Sequence, residues 1–177
     1  MLNEDYKEML QCLADENARF LVVGAYAMAV HGYPRATMDI DIWVMPSRDN
    51  AEAVLRALRR FGAPVRGLTI EDLQKDDTIF QIGVAPRRID IITGASGLRF
   101  EEAFARSTSI RIEGLQVRIL SIDDLIQNKR ASGRTKDLVD AEALESLKSL
   151  EKAQSRARST KARLDEAPTT NCPGDDG

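Results

Sequence analysis

The chain has 177 residues, 25 Lys and Arg against 28 Asp and Glu, a net charge of −3 and a 43% hydrophobic fraction. That length suits one domain of about 150 residues, and the composition excludes a disordered or membrane-embedded chain. The negative balance argues against broad nucleic-acid affinity.

The longest uncharged run, Phe20 to Pro34, contains Gly, Tyr, His and Pro and falls short of the roughly 20 apolar residues of a spanning helix. The acidic, amphipathic start lacks the pattern of a secretory signal, and Cys12 and Cys172 stand near opposite ends, so no disulfide framework is expected. A reducing cytoplasm is the expected compartment. The single histidine, His31, excludes a multi-His zinc cluster and leaves a Ser-His-Asp triad without support. Chemistry in this chain is therefore expected to run on carboxylates, lysines and backbone amides.

Asn3 caps a predicted first helix whose Tyr6, Met9, Leu10 and Leu13 recur at helical spacing. Phe20 to Val23 reads as a short buried strand, Gly24 as its break, and Ala25 to Val30 as a short helix ended by His31-Gly32-Tyr33-Pro34. Met38 to Met45 alternates, with Ile40, Ile42 and Val44 on one face and Asp39, Asp41 and Trp43 on the other. Ser47 is the expected cap of a helix to about Arg60, with Ala51, Val54, Leu55 and Leu58 inward. Thr78 to Val84 and Arg88 to Thr93 predict an antiparallel hairpin. A short helix near Phe100 to Arg106 precedes a second hairpin, Ser109 to Ile112 and Leu115 to Leu120, turning at Glu113-Gly114.

Ser121 with Asp124 resembles a capping box and opens a helix that Gly133 stops. A last helix starts near Thr135 with Leu138, Leu144, Leu147 and Leu150. The domain is expected over residues 1–154 and a charged, disordered tail over 155–177. The order of elements predicts an α+β (mixed α/β) fold with one central sheet.

The chemistry-bearing pattern lies in the strands. Asp39 and Asp41 project from the same face of an apolar strand, with Cα atoms roughly 6.5 Å apart. Such charges repel unless they stay wet or hold a hard cation such as Mg²⁺. Asp90 stands between Ile89 and Ile91 in a like context and joins them if its strand lies alongside; the bland alternative is an ion pair with Arg87 or Arg88. Gly24, between a strand and a helix start, offers free backbone N–H groups to a phosphate. Tyr26 and Trp43 are expected in the core rather than against a base.

Together, Val23-Gly24-Ala25, thirteen intervening residues, Asp39-Ile40-Asp41-Ile42 and the later Ile89-Asp90-Ile91 resemble the nucleotidyltransferase superfamily typified by DNA polymerase beta. Ala25 stands where that pattern has Gly or Ser. Lys129 to Arg134, then Arg134-Thr135-Lys136-Asp137-Leu138-Val139-Asp140, and Arg35-Ala36-Thr37, are similar to motifs of AbiEii-type nucleotidyltransferases, mostly bacterial toxins of toxin–antitoxin systems. The resemblance implies a nucleotidyltransferase fold, a central mixed sheet flanked by helices with further C-terminal helices. It also implies an NTP substrate with Mg²⁺ or Mn²⁺. Asp39, Asp41 and Asp90 would be the catalytic and metal-holding residues, and Gly24, Ala25, Lys129, Arg134 and Lys136 the nucleotide-binding ones. The acceptor it suggests is a tRNA 3′ end, and the partner an antitoxin protein. A protein or antibiotic hydroxyl, or an inert binding module, are the alternatives.

Overall fold

The computed structural model describes residues 3–165, with side chains described to Arg156. Its helices are α1 (Glu4–Asp15), α2 (Gly24–Val30), α3 (Arg48–Phe61), α4 (Phe100–Arg106), α5 (Ile122–Ser132) and α6 (Thr135–Asp165). Its strands are β1 (Phe20–Val22), β2 (Asp39–Val44), β3 (Ile79–Ile82), β4 (Arg88–Ile92), β5 (Thr108–Ile112) and β6 (Leu115–Ile119). They form one six-stranded sheet in the order β3-β4-β2-β1-β6-β5. The sheet is mixed: β2 runs parallel to β4 and β1 parallel to β6, and the remaining pairs are antiparallel.

Local signals account for most element ends. Asn3 accepts from the Asp5 N–H at 2.9 Å and satisfies a free donor of the first turn of α1. The Ser121 hydroxyl does the same for Asp124 N–H at 3.2 Å at the start of α5. Gly62 and Gly133, both in the left-handed region, close α3 and α5. The Tyr6, Met9, Leu10 and Leu13 stripe of α1 and the Ala51, Val54, Leu55 and Leu58 stripe of α3 are buried, and the two helices pack together. Ile40, Ile42 and Val44 enter the same core from β2.

Ser47 departs from expectation, since its side chain makes no capping bond. Asn50, one turn on, has the more useful position. Its amide oxygen accepts from Arg19 N–H at 2.6 Å, and its amide nitrogen donates to the carbonyls of Arg19 and Met45 at 3.1 and 3.0 Å. A buried polar side chain thus ties α3 to the ends of β1 and β2. Trp43 shares the carboxylate side of β2 by alternation yet is buried, because α4 covers that end of the strand. Phe100 meets the indole edge-on at 5.1 Å, and Nε1 donates to the Thr93 carbonyl at 3.0 Å. The opposite end of the strand, with Asp39 and Asp41, remains open.

The last helix also differs. Only part of the expected apolar stripe packs: Leu144 is buried, whereas Leu138 and Leu150 are exposed. The helix continues without a break past residue 154 to Asp165, so the segment 155–165 of the expected tail is helical. Residues 166–177, the rest of that tail, lie outside the described residues.

Candidate active site

Strand register assembles the site. Asp41 stands directly opposite Asp90 across the parallel β2–β4 pair, and Asp39 opposite Arg88. The three carboxylates therefore share one face at adjacent pleats. They line a cleft of about 420 Å³, within the range of small-molecule sites. Gly24, Ala25, Lys129, Arg134 and Lys136 line the same cleft, so the fold brings all the sequence-predicted site residues together.

Gly24 occupies its position for two reasons. Its φ of +61° lies where side chains are strained, and a Cβ there would fall 2.0 Å from Asp41 Oδ2. The backbone of α2 thus meets the carboxylate at close quarters, with Val23 N–H bonded to Asp41 O at 3.0 Å. The Thr37 hydroxyl orients Asp39 by donating to its Oδ1 at 2.7 Å. Burial, then the like charges of Asp39 and Asp90, push the Asp41 carboxyl up to about 6.

Arg88 is the residue whose place the sequence left open. Its Nε donates to Asp90 Oδ1 at 2.8 Å and one terminal nitrogen to Asp90 Oδ2 at 3.0 Å; the same nitrogen pairs with Asp39 Oδ2. Gln81 on β3 adds a longer contact, 3.4 Å, to Asp90 Oδ2. The ion-pair alternative for Asp90 and the convergence of the three carboxylates are therefore both realised, in one cluster.

Across the cleft, α5 and α6 carry a second charged network. Lys129 Nζ reaches Asp137 Oδ1 at 2.5 Å and Asp140 Oδ2 at 3.5 Å. Arg35, from the segment before β2, donates to both oxygens of Asp140 at 2.5 and 2.6 Å. Burial opposes ionisation of Asp137, but hydrogen bonds from Lys129 and Ser132 outweigh it and hold its carboxyl below the ordinary value. Arg134 lies 3.7 Å from Asp137 and, like Lys136, is largely exposed at the cleft rim. The sequence pattern flagged Lys129 but not its anchoring by Asp137 and Asp140; those acids, at a spacing of three on a helix, face the same side.

The donor set suits a hard divalent cation: three carboxylates, one of them desolvated and pressed by two like charges, so that a bound cation would favour its ionised form. Among the described residues, however, no group of three acidic or imidazole ligands is arranged to hold a metal as it stands. The Arg88 guanidinium lies between two of the three.

A family model described as nucleotidyltransferase of unknown function (DUF6036) matches residues 1–167. The chain belongs to this nucleotidyltransferase family. No curated protein matches it. A solved structure shares its fold: the antibiotic-resistance factor ANT(2″)-Ia, at 16% identity and TM-score 0.50, covers 90% of this chain over 96% of its own. A second neighbour, a putative nucleotidyltransferase from Thermotoga maritima (TM1012), has 15% identity and TM-score 0.49, over 92% of this chain and 96% of its own. The protein is thus an enzyme of the nucleotidyltransferase fold, and its family implies an NTP substrate, a divalent metal and an acceptor. No helix among the described residues is long and apolar enough to cross a membrane.

Proposed function

We propose that this nucleotidyltransferase moves a nucleoside monophosphate from an NTP to the hydroxyl of a tRNA 3′ end, as a toxin whose partner is an antitoxin protein. The observation that carries the chemistry is the register that sets Asp41 against Asp90, with Asp39 beside them and Gly24 in contact. Asp39 and Asp41, with Asp90, would hold Mg²⁺ or Mn²⁺, which would supply neutralisation of the phosphate charge.

The remaining work falls to the chain's own groups. The backbone N–H groups of Gly24 and Ala25 receive phosphate oxygens at the start of α2. Lys129, fixed by Asp137 and Asp140, faces the triphosphate with Arg134 and Lys136 at the rim. Asp90 takes the proton from the acceptor hydroxyl, whose oxygen bonds to the α-phosphorus as the bond to pyrophosphate breaks. Catalysis of this kind is positioning and charge neutralisation.

The tRNA reading rests on the likeness of Arg35 to Thr37 and Lys129 to Asp140 to AbiEii-type toxins. The basic residues Lys148, Lys152 and Arg156 along α6 suit a polyanion. A small-molecule hydroxyl is the second reading, favoured by the net charge of −3 and by the fold shared with an antibiotic-resistance factor. Label transfer separates them. The protein is mixed with α-phosphate-labelled NTPs and Mg²⁺, beside total tRNA, cell protein extract or a panel of hydroxyl-bearing antibiotics, with Asp39→Ala as control. Label on tRNA that disappears in the control supports the first reading. Label on an antibiotic supports the second, label on protein moves the acceptor to a side-chain hydroxyl, and no transfer to any acceptor argues for an inert binding module.

A further inference from the structure

The cleft holds a cation of its own. Arg88 spans Asp39 and Asp90 with a guanidinium whose side chain is 31% exposed, against 25% and 8% for the two carboxylates. Its backbone is fixed, since Arg88 N–H bonds to the Met38 carbonyl at 3.3 Å. The guanidinium lines the cleft together with the carboxylates it pairs with. Of the other cations lining the cleft, Lys129 and Arg35 are tied to Asp137 and Asp140, and Arg134 and Lys136 stand exposed at the rim. Arg88 is therefore the direct counter-ion of two of the three carboxylates, Asp39 and Asp90.

We propose that Arg88 is a positioning residue that holds the place of the divalent cation and makes binding of metal and nucleotide mutually dependent. This rests on the reading of Asp39, Asp41 and Asp90 as metal-holding residues. A divalent cation arriving alone must break the contacts of Arg88 and leave an unpaired guanidinium beside itself, which like-charge repulsion disfavours. A triphosphate supplies what is missing, because its oxygens accept a guanidinium as well as a carboxylate does. With nucleotide present, Arg88 exchanges carboxylates for phosphate and the carboxylates exchange Arg88 for the metal. No charge is left unpaired at either step, and each ligand raises the affinity of the other by the same factor.

The test is Mn²⁺ binding, read from the electron paramagnetic resonance signal of the free ion, with no turnover involved. Wild type and Arg88→Gln are titrated alone and with the α,β-methylene analogues of the four NTPs. Wild type is expected to bind Mn²⁺ weakly alone and at least about tenfold more tightly with analogue, about 1.4 kcal/mol of coupling. Arg88→Gln is expected to bind Mn²⁺ alone about tenfold more tightly than wild type and to gain little from the analogue. Equal affinity of the two proteins for Mn²⁺ alone, with the analogue effect intact in Arg88→Gln, overturns the proposal and leaves the metal reading standing. Absence of Mn²⁺ binding in both proteins even with analogue overturns the metal reading and the proposal with it. If Arg88→Gln does not fold, Arg88→Met, which keeps much of the length and removes the charge, carries the same comparison: tighter Mn²⁺ binding alone supports the proposal and unchanged binding overturns it.

Discussion

A carboxyl oxygen of Asp41 lies where a side chain on Gly24 would begin, 2.0 Å from the position of a Cβ. The glycine of the strand–helix turn and the central acid of β2 are therefore one structural unit, although a helix and a loop separate them in the chain. Gly24→Ala must displace the carboxylate and also strain a backbone at φ +61°. Gly62→Ala is its control, because Gly62 has φ +83° and nothing within 4 Å of its Cβ. We expect Gly62→Ala to cost about 1 kcal/mol of unfolding free energy, and Gly24→Ala at least about 2 kcal/mol, with loss of transfer activity. Urea unfolding of the pair checks this; equal costs would mean that the contact with Asp41 relaxes freely.

Asp41 holds its proton to about pH 6, against an ordinary value of 3.8. Below the ordinary value the group is protonated in folded and unfolded chain alike. As pH rises through the window up to about 6, the unfolded chain ionises first and the folded state loses stability; above it the full cost, at most about 3 kcal/mol, is present. Asp41→Asn is accordingly expected to be more stable than wild type at pH 8, to gain almost nothing at pH 3, and to transfer no nucleotide. Denaturant melts at the two pH values check the sign.

The same titration limits catalysis if Asp41 must be ionised to hold a cation. The profile of kcat/KM, which reports groups of the free enzyme, should rise with pH through about 6 and then level. A profile flat across that region would show that the carboxyl is already ionised in the free enzyme.

Asp140 is buried between two cations, with Arg35 at 2.5 Å and Lys129 at 3.5 Å. Removing it leaves both charges without their common partner. Asp140→Ala should cost about 3 kcal/mol, whereas Glu145→Ala, which loses an exposed pair with Arg130, should stay within about 0.5 kcal/mol. Urea unfolding of both variants decides whether the buried network supports the fold.

Much of this was legible in the chain. Alternation in β2 separated Ile40, Ile42 and Val44 from Asp39 and Asp41. The apolar flanks of Asp90 marked a second strand, and Asn3, Ser121 and Gly133 marked helix ends. These signals are local, set by side-chain periodicity and by which residues satisfy free backbone groups or accept a left-handed turn. Ser47 failed as a cap because proximity in sequence does not ensure that the hydroxyl reaches a free N–H.

The sequence by itself determined that three carboxylates and a glycine turn stand in like apolar strand contexts, because those positions follow from strand alternation and a conformation that favours glycine. Only the tertiary structure decided how they are neutralised and held. The parallel pairing of β2 with β4 sets Asp41 against Asp90 and lets Arg88 bridge Asp39 and Asp90. The approach of α6 to the segment before β2 gives Arg35 its partner, Asp140, and the placement of α4 buries Trp43. Each of these joins groups that are distant along the chain, and local propensity carries no information about which distant strand or helix becomes the neighbour.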